Sequence, residues 1–250
     1  MILTLAGREL RSLFLSPLAW SVLAVVTFLL AYLFLVQIDT FLMLAPRLAA
    51  VDGAPGVTDI VVAPLFGNTA VVLLLVAPLI TMRSLAEERR TRTLTLLFSA
   101  PVSMSEIVLG KYLGLLGFFL ILVGLVTLMP LSLAVGTTLD WGKLASGLLG
   151  LVLLVAAFTA AGLFMSSLTE QPTIAAISSF GLLLLLWIID WAGNTGAQAS
   201  ELLAWLSILR HYESLLKGLF DSADVAYYLL FVVTFLALTV QRLDAQRLPH

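Results

Sequence analysis

The chain has 250 residues, of which 61% are hydrophobic and 11% charged, and its formal net charge is -2. Its mean hydropathy of +1.10 excludes a soluble domain with a polar surface and predicts an integral membrane protein. The absence of cysteine excludes disulfides and thiolate chemistry, and two histidines are too few for a histidine-rich metal centre. The small net charge gives no sign of a nucleic-acid partner.

Six apolar segments are long enough to cross a bilayer as helices, which takes about 20 residues each. They lie near residues 17–37, 61–82, 112–135, 144–167, 173–191 and 225–241. The first is too long for the apolar core of a signal peptide, so we expect it to be retained. The short gap with Pro172 between the fourth and fifth segments predicts a tight helical hairpin. We therefore expect an all-α integral membrane protein, with one membrane domain over residues 1–250.

The distribution of lysine and arginine predicts the orientation, because cytoplasmic loops retain positive charge. With the N-terminus inside, the cytoplasmic side holds Arg8, Arg11, Arg83, Arg89, Arg90, Arg92, Lys111, Arg242 and Arg247. The opposite side holds Arg47, Lys143, Arg210 and Lys217. Nine basic residues against four predict a multi-pass protein with both termini in the cytoplasm.

The densest group of charges follows the second span, in SLAEERRTRTLTLLFSAPVSMSEIVLGKYLG at residues 84–114. Two acidic residues precede two basic ones at helical ion-pair spacings: Glu87, Glu88, Arg90 and Arg92. Leu94, Leu97 and Phe98 then form an apolar stripe at i, i+3 and i+4. The pattern predicts a short amphipathic helix at the cytoplasmic surface, over residues 84–100.

A sharp turn separates this helix from the next span. Pro101 ends the first helix, because the residue before a proline is disfavoured in the α region. Ser103 and Glu106 have the spacing of a capping box, which starts a new helix. A rigid surface helix of this kind suits the docking of a cytoplasmic partner, and it equally suits a purely structural elbow.

Small residues mark the third and fourth spans. Gly110 and Gly114 form a G-x-x-x-G pattern at which two helices can approach closely. The fourth span has a smooth face, made by Ala156, Ala157, Ala160, Ala161 and Gly162. Two interpretations stay open here, packing within one bundle and a seam between two copies.

A second amphipathic segment lies on the predicted outer side, over residues 199–220. Its apolar residues recur at roughly helical spacing: Leu202, Leu206, Leu209, Tyr212, Leu216 and Leu219. Its charged residues lie elsewhere on the helical wheel: Glu201, Arg210, Glu213 and Lys217. The pattern predicts a helix at the outer interface. Such a helix either lies on the bilayer or caps the bundle, or it serves as an outer gate or substrate contact.

An ATPase, an intramembrane enzyme and an ion-coupled carrier would each need characteristic residues. The phosphate-binding loop of an ATPase requires Ser or Thr after Gly-Lys, but Tyr112 and Leu144 follow the two Gly-Lys pairs. An intramembrane enzyme needs apposed acids, a Ser with a His, or H-E-x-x-H, and Asp190 is the lone acid near a span. An ion-coupled secondary carrier needs ionisable groups deep in the bilayer, of which the spans hold almost none. Both classes remain as alternatives to a transporter driven by a separate ATPase.

The charged stretch resembles the segment between the second and third spans of ABC-2 type permeases, the membrane subunits of a class of ATP-binding-cassette transporters. The matching residues are Glu87, Glu88, Thr93, Leu94, Leu96, Leu97, Pro101, Val102, Ser103, Glu106, Ile107, Gly110 and Lys111. In that family the segment forms a cytoplasmic coupling helix that sits in a groove of the ATPase subunit. The resemblance implies ATPase docking by Glu87, Glu88, Arg90, Arg92, Leu94, Leu97 and Phe98.

The segment before the last span is similar to the end of the gliding-motility-associated branch of these permeases. The matching residues are Leu206, Ser207, His211, Lys217, Gly218, Asp221 and Tyr228. Of these, Leu206, His211 and Lys217 are the candidate functional residues of the outer helix.

The resemblance as a whole implies a permease subunit in the inner membrane that exports a substrate or transmits force. Its implied partners are an ATPase subunit, which carries ATP and Mg²⁺, and a second permease subunit that is identical or related. No catalytic residue, metal or cofactor is expected in this chain itself.

Overall fold

The computed structural model describes residues 1–48, 54–91, 103–193 and 205–247. Within these ranges the chain is helical and contains no strand. The α-helices, numbered α1 to α9 in chain order, are Ile2–Leu15, Pro17–Leu48, Ala63–Thr81, Arg83–Arg90, Met104–Ser132, Trp141–Leu168, Pro172–Gly193, Ile208–Leu216 and Ser222–Arg247. A π-helical turn, Thr58–Val62, leads into α3, and a 3₁₀ turn, Leu133–Val135, follows α5.

Among the described residues, six helical segments are long and apolar enough to span a membrane, which confirms the predicted fold class. They are Pro17–Arg47, Thr58–Arg90, Met104–Val135, Trp141–Leu168, Pro172–Ile189 and Ser222–Ala245. The third begins eight residues before its predicted start at residue 112, because a capping box at Ser103 already starts the helix at Met104. The predicted hairpin is also confirmed, since only residues 169–171 separate α6 from α7, which begins at Pro172.

Two helices form the centre of the bundle. In the most apolar windows of α3 and α6, 56% and 61% of the residues are buried, compared with 22% for α2, 17% for α7 and 22% for α9. The helix α6 contacts α3, α5, α7, α8 and α9. The three less buried helices therefore offer broad apolar surfaces to lipid or to another protein.

The two ends of the bundle are built differently. Hydrogen bonds join α1, α4, the start of α5 and the end of α6 at one end, which we call the termini side. At the other end, which we call the far side, α8 bonds α3 and α6, and Asp140 bonds the π-helical turn. The termini side is the one that the charge distribution predicts to be cytoplasmic.

The helix α1 precedes the first span and was not predicted from the sequence. Its half-buried residues recur at helical spacing: Ile2, Leu5, Ala6, Glu9, Leu10, Leu13 and Phe14. This face packs along α5. The helix ends at Ser16, and Pro17 begins α2, as a proline readily does at the first helical position.

The G-x-x-x-G pattern serves this contact between α1 and α5. A Cβ atom on Gly110 would lie 2.5 Å from Leu5 Cβ, and one on Gly114 would lie 2.6 Å from Glu9 Cβ and 2.9 Å from the Ala6 carbonyl oxygen. Any side chain larger than hydrogen would push the two helices apart. The structure thus assigns these two glycines to packing within one chain.

The outer amphipathic segment is a helix, but the predicted apolar face was wrong in part. In α8 the buried residues are Ile208, His211, Tyr212 and Leu215. Leu206 and Leu219, placed on the apolar face by the helical wheel, are 44% and 64% exposed. The difference arises because α8 runs only from Ile208 to Leu216, so both leucines lie outside it, and α8 itself packs against α3, α6, α7 and α9 and so caps the bundle. Leu202 lies outside the described residues.

Candidate functional site

The helix α4 is the first part of the charged stretch and is fixed to the end of α6. Ser166 Oγ accepts hydrogen bonds from the backbone N–H groups of Leu85, at 3.1 Å, and Ala86, at 3.0 Å. The same hydroxyl donates to the Met82 carbonyl oxygen at 2.9 Å. The first N–H groups of a helix have no partner within that helix. A serine from another helix therefore caps α4 and ties it to the bundle.

A buried lysine joins α4 to α1 and α5. Lys111 Nζ lies 2.8 Å from Glu88 Oε1, 3.3 Å from Glu9 Oε2 and 2.9 Å from the Ser84 carbonyl oxygen. Ser84 Oγ also donates to Glu9 Oε1 at 3.3 Å. We call Glu9, Ser84, Glu88 and Lys111 the junction cluster. It connects α1 to α4 and α5, over separations of 75 and 102 residues in the chain.

The electrostatics of the junction cluster favour a rigid contact. The Lys111 side chain is only 6% exposed, and those of Glu9 and Glu88 are 16% and 18% exposed. A buried ammonium is costly unless its donors are satisfied, and here three oxygen atoms surround it. Removal of Lys111 would take from Glu9 and Glu88 the cation that they share, so the cluster favours fixed separations of the three helices.

The predicted docking residues fall into three groups. Glu87 and Arg90 lie on the outer surface of α4, where Glu87 is 4.0 Å from the guanidinium groups of both Arg83 and Arg90. Glu88 instead faces into the protein and binds Lys111. Arg92, Leu94, Leu97 and Phe98 lie outside the described residues, as does the predicted end of the helix at Pro101. ATPase docking by these residues stays a prediction.

The predicted capping box at the start of α5 is confirmed. Ser103 Oγ accepts from the Glu106 backbone N–H at 3.2 Å, and Glu106 Oε2 accepts from the Ser103 backbone N–H at 3.1 Å. This reciprocal pair satisfies two N–H groups at the beginning of the helix. The start of α5 is thus fixed, which places Lys111 two turns further along the same helix.

On the far side, His211 joins α8 to α9. Its Nδ1 lies 2.6 Å from Asp224 Oδ1 and its Nε2 lies 2.9 Å from the Trp205 carbonyl oxygen, while the ring stacks on Tyr227 at 4.1 Å. Both ring nitrogens are occupied by these partners, so neither is free to bind a metal or take a substrate proton. His211 therefore holds the far side together.

The other two outer-helix candidates are at the surface. The Leu206 side chain is 44% exposed, and the Leu206 carbonyl oxygen accepts from the Tyr227 hydroxyl at 2.8 Å. Lys217 ends α8 and pairs with Glu213 at 3.3 Å, with both side chains more than half exposed. The next residue, Gly218, has a φ of 81°, a left-handed conformation that favours glycine and ends the helix.

A buried tyrosine fixes α8 against α3. The Tyr212 hydroxyl donates to the Phe66 carbonyl oxygen at 2.8 Å, and Ser146 Oγ donates to the Leu215 carbonyl oxygen at 2.8 Å. Burial raises the pKa of Tyr212 far above its usual range, so the phenol remains a neutral donor. Among the described residues, no group of three or more His, Asp or Glu side chains is placed to hold a metal ion.

Comparison with known proteins adds to this geometry. A family model described as ABC-2 family transporter protein matches residues 3–247. The chain belongs to this family. No match is found among curated proteins. With six helices long and apolar enough to span a membrane in the part of the chain that the structure describes, the ABC-2 chain is a multi-pass membrane permease subunit. The likeness to the gliding-motility-associated branch stays a prediction.

Two residues that organise this ABC-2 permease were missed in the sequence. Glu9 is the only charged residue on the half-buried face of α1, and the helical spacing of Leu5, Ala6, Leu10 and Leu13 around it was the available signal. Ser166 carries no such signal, because its partners Leu85 and Ala86 are about 80 residues away in the chain.

Proposed function

We propose that this chain is the permease subunit of an ATP-binding-cassette complex whose separate ATPase docks on the termini side. The docking surface would consist of α4 and the segment that follows it, residues 92–100. The observation that carries the proposal is the way in which α4 is held. Lys111 binds it to α1 and α5, and Ser166 binds it to α6. A displacement of α4 would therefore move at least three other helices.

The residues of this surface would have different roles. Glu87 and Arg90 are exposed enough to meet a partner as rim charges, which usually add little binding energy. Leu94, Leu97 and Phe98 would fill an apolar groove and supply most of the energy, as buried apolar anchors do at interfaces. Glu88 would act as a positioning residue, because it already binds Lys111.

The cycle that we propose would use these contacts. Binding and hydrolysis of ATP with Mg²⁺ on the ATPase subunits would change the separation of those subunits. That movement would displace α4, and the junction cluster and Ser166 would pass the displacement to the ends of α5 and α6. Two permease subunits, identical or related, would enclose the path. The result would be export across the inner membrane or the transmission of force.

The docking proposal is tested by co-purification of the ATPase, with membrane insertion checked in parallel. We expect the triple variant Leu94→Ala, Leu97→Ala, Phe98→Ala to lose the ATPase, since each anchor contributes about 2 kcal/mol or more and 1.4 kcal/mol is about tenfold in Kd. Glu87→Ala should weaken the binding of the ATPase only slightly.

The matched control replaces three exposed apolar residues of the far side. Val135, Leu219 and Phe220 are 95%, 64% and 66% exposed. The triple variant Val135→Ala, Leu219→Ala, Phe220→Ala should retain the ATPase fully. If the variant Leu94→Ala, Leu97→Ala, Phe98→Ala inserts correctly and still retains the ATPase fully, docking at this site is refuted.

A further inference from the structure

A cavity of about 280 Å³ lies on the termini side, where α1 meets the ends of α2, α3 and α4. Charged residues of α1, α4 and α5 line the part of it that lies next to these helices, and apolar residues of α2 and α3 line the part next to the spans. Small-molecule sites begin at roughly 300 Å³, so the volume suits a polar headgroup better than a whole lipid. The cavity adjoins the junction cluster but extends beyond it toward α2.

The charged part of the cavity contains groups of both signs. Arg8 and Arg83 line it, together with the carboxylates of Glu9, Glu87 and Glu88. Lys111 also lines the cavity, so three positive charges face three negative ones. A site with this balance is suited to a ligand that itself carries both charges, rather than to an anion or a cation alone.

The two arginines have hydrogen-bond donors to offer. Arg8 is exposed and forms no hydrogen bond or ion pair with the part of the chain that the structure describes. Within the described residues, Arg83 has only a 4.0 Å contact with Glu87, and both of these side chains are about half exposed. Guanidinium groups of this kind bind phosphate oxygens with good geometry. Glu87 can accept hydrogen bonds from an ammonium group.

The apolar part of the cavity lies beside two of the spans. Leu18 and Ala19 of α2 and Leu79 and Ile80 of α3 line it, and Leu79 is 46% exposed on the surface of the spans. The helix α1 ends where the first span begins, so we place the membrane interface at this point. Trp20, which is 59% exposed and donates to the Phe14 carbonyl oxygen, is a typical residue of that zone.

We propose that this cavity binds the headgroup of a zwitterionic phospholipid with a primary ammonium group, of the phosphatidylethanolamine type. The phosphodiester contacts Arg8 and Arg83, and the ammonium donates to Glu87. The acyl chains leave the cavity past Leu79 along the surface of α3. A choline headgroup fits less well, because its ammonium has no N–H to donate. The lipid thereby links α1 to α4, and this inference does not depend on ATPase docking.

The test is a titration of the purified full-length chain in detergent, with bound lipids counted by native mass spectrometry. The lipids are dioleoyl phosphatidylethanolamine, phosphatidylcholine and phosphatidylglycerol. We expect phosphatidylethanolamine to bind about tenfold more tightly than the other two, the effect of one charge-assisted hydrogen bond. Equal binding of the three lipids, or tighter binding of phosphatidylglycerol, would overturn the proposal.

Matched variants locate the site. Arg8→Gln should weaken phosphatidylethanolamine binding about tenfold. Arg11→Gln, on the same exposed side of α1 but outside the cavity lining, should not weaken it. Glu87→Gln should reduce the preference over phosphatidylcholine. Equal effects of the two arginine variants would contradict the assignment. Displacement of the lipid by free phosphoethanolamine at equal concentration would assign the site to a soluble phosphate ester and overturn the lipid assignment.

Discussion

At the scale of single residues, Lys111 has the strongest effect on how the termini side is built. A lysine that is 6% exposed on a membrane-spanning helix would be unfavourable if its charge were not compensated. Glu9 and Glu88 supply that compensation from two other helices. Because the buried ammonium requires both carboxylates, it fixes the contacts among α1, α4 and α5.

We expect Lys111→Met to lower the free energy of unfolding by about 2–3 kcal/mol, because it roughly preserves the volume of the side chain but removes the ammonium that compensates the charges of Glu9 and Glu88. The loss should be smaller than for a fully buried pair, since Glu9 and Glu88 keep some exposure. Thermal unfolding of the detergent-solubilised chain measures the change.

Two further variants separate the loss of this cluster from a general effect of removing charge. Lys217→Met, which breaks an exposed pair with Glu213, should cause no measurable change. Adding Glu88→Gln to Lys111→Met should restore part of the lost stability. Equal midpoints for Lys111→Met and Lys217→Met would contradict the assigned role of Lys111.

The sequence predicted Lys111 only as part of a motif that resembles a family. Its partner Glu9 lies 102 residues away, and a pairing over such a distance depends on how the helices pack. By contrast, the capping box of Ser103 and Glu106 was predicted correctly, because all of its atoms belong to four consecutive residues. Local hydrogen bonds are therefore readable from sequence, and contacts between distant helices are not.

At the scale of elements, α4 is the helix whose position matters most to the proposed function. It has only eight residues, and an isolated helix of that length is marginal in water. Its order comes from its neighbours, through Ser166 at its first turn and Lys111 on its inner face. The helix is thus stable only as part of the bundle.

Removal of the Ser166 hydroxyl should loosen the start of α4. Ser166→Ala deprives the N–H groups of Leu85 and Ala86 of their acceptor, at a cost of about 1–2 kcal/mol. We expect amide exchange of α4 to become roughly 5- to 30-fold faster. Hydrogen exchange read by mass spectrometry measures this.

Ser178→Ala is the matched control, because Ser178 donates only to carbonyl groups of its own helix, those of Ile174 and Ala175. It should leave α4 unchanged. An unchanged exchange rate of α4 in Ser166→Ala would show that the cap has no stabilising role.

The six spans were predicted more accurately than the buried face of α8. The six spans follow from hydropathy, since lipid imposes the same demand on every spanning helix. The buried face of α8 was partly wrong because the helical wheel assumes one apolar surface facing a membrane. In the protein α8 touches four other helices, which bury His211, and it ends at Leu216, so Leu219 lies beyond the helix. Such a face is set by tertiary packing, not by the periodicity of the segment alone.

At the scale of the whole molecule, the bundle combines a buried centre with two different ends. The central helices α3 and α6 are more than half buried, while α2, α7 and α9 keep surfaces for lipid or a second permease. The far side is closed by α8 and its tyrosine and histidine contacts. The termini side carries the exposed charges of α4. This asymmetry is the arrangement that a permease driven from one side of the membrane would need.

The central claim, that an ATPase docks on α4 at the termini side, is tested most directly by cross-linking in native membranes. A photo-reactive residue is introduced in place of Arg90 on α4 or, as the control, in place of Thr138 on the far side; both positions are exposed. We predict that position 90 captures a chain with a G-x-x-x-x-G-K-[ST] motif and ATPase activity, and that position 138 does not. Capture of that chain at position 138 and not at position 90 would contradict the account.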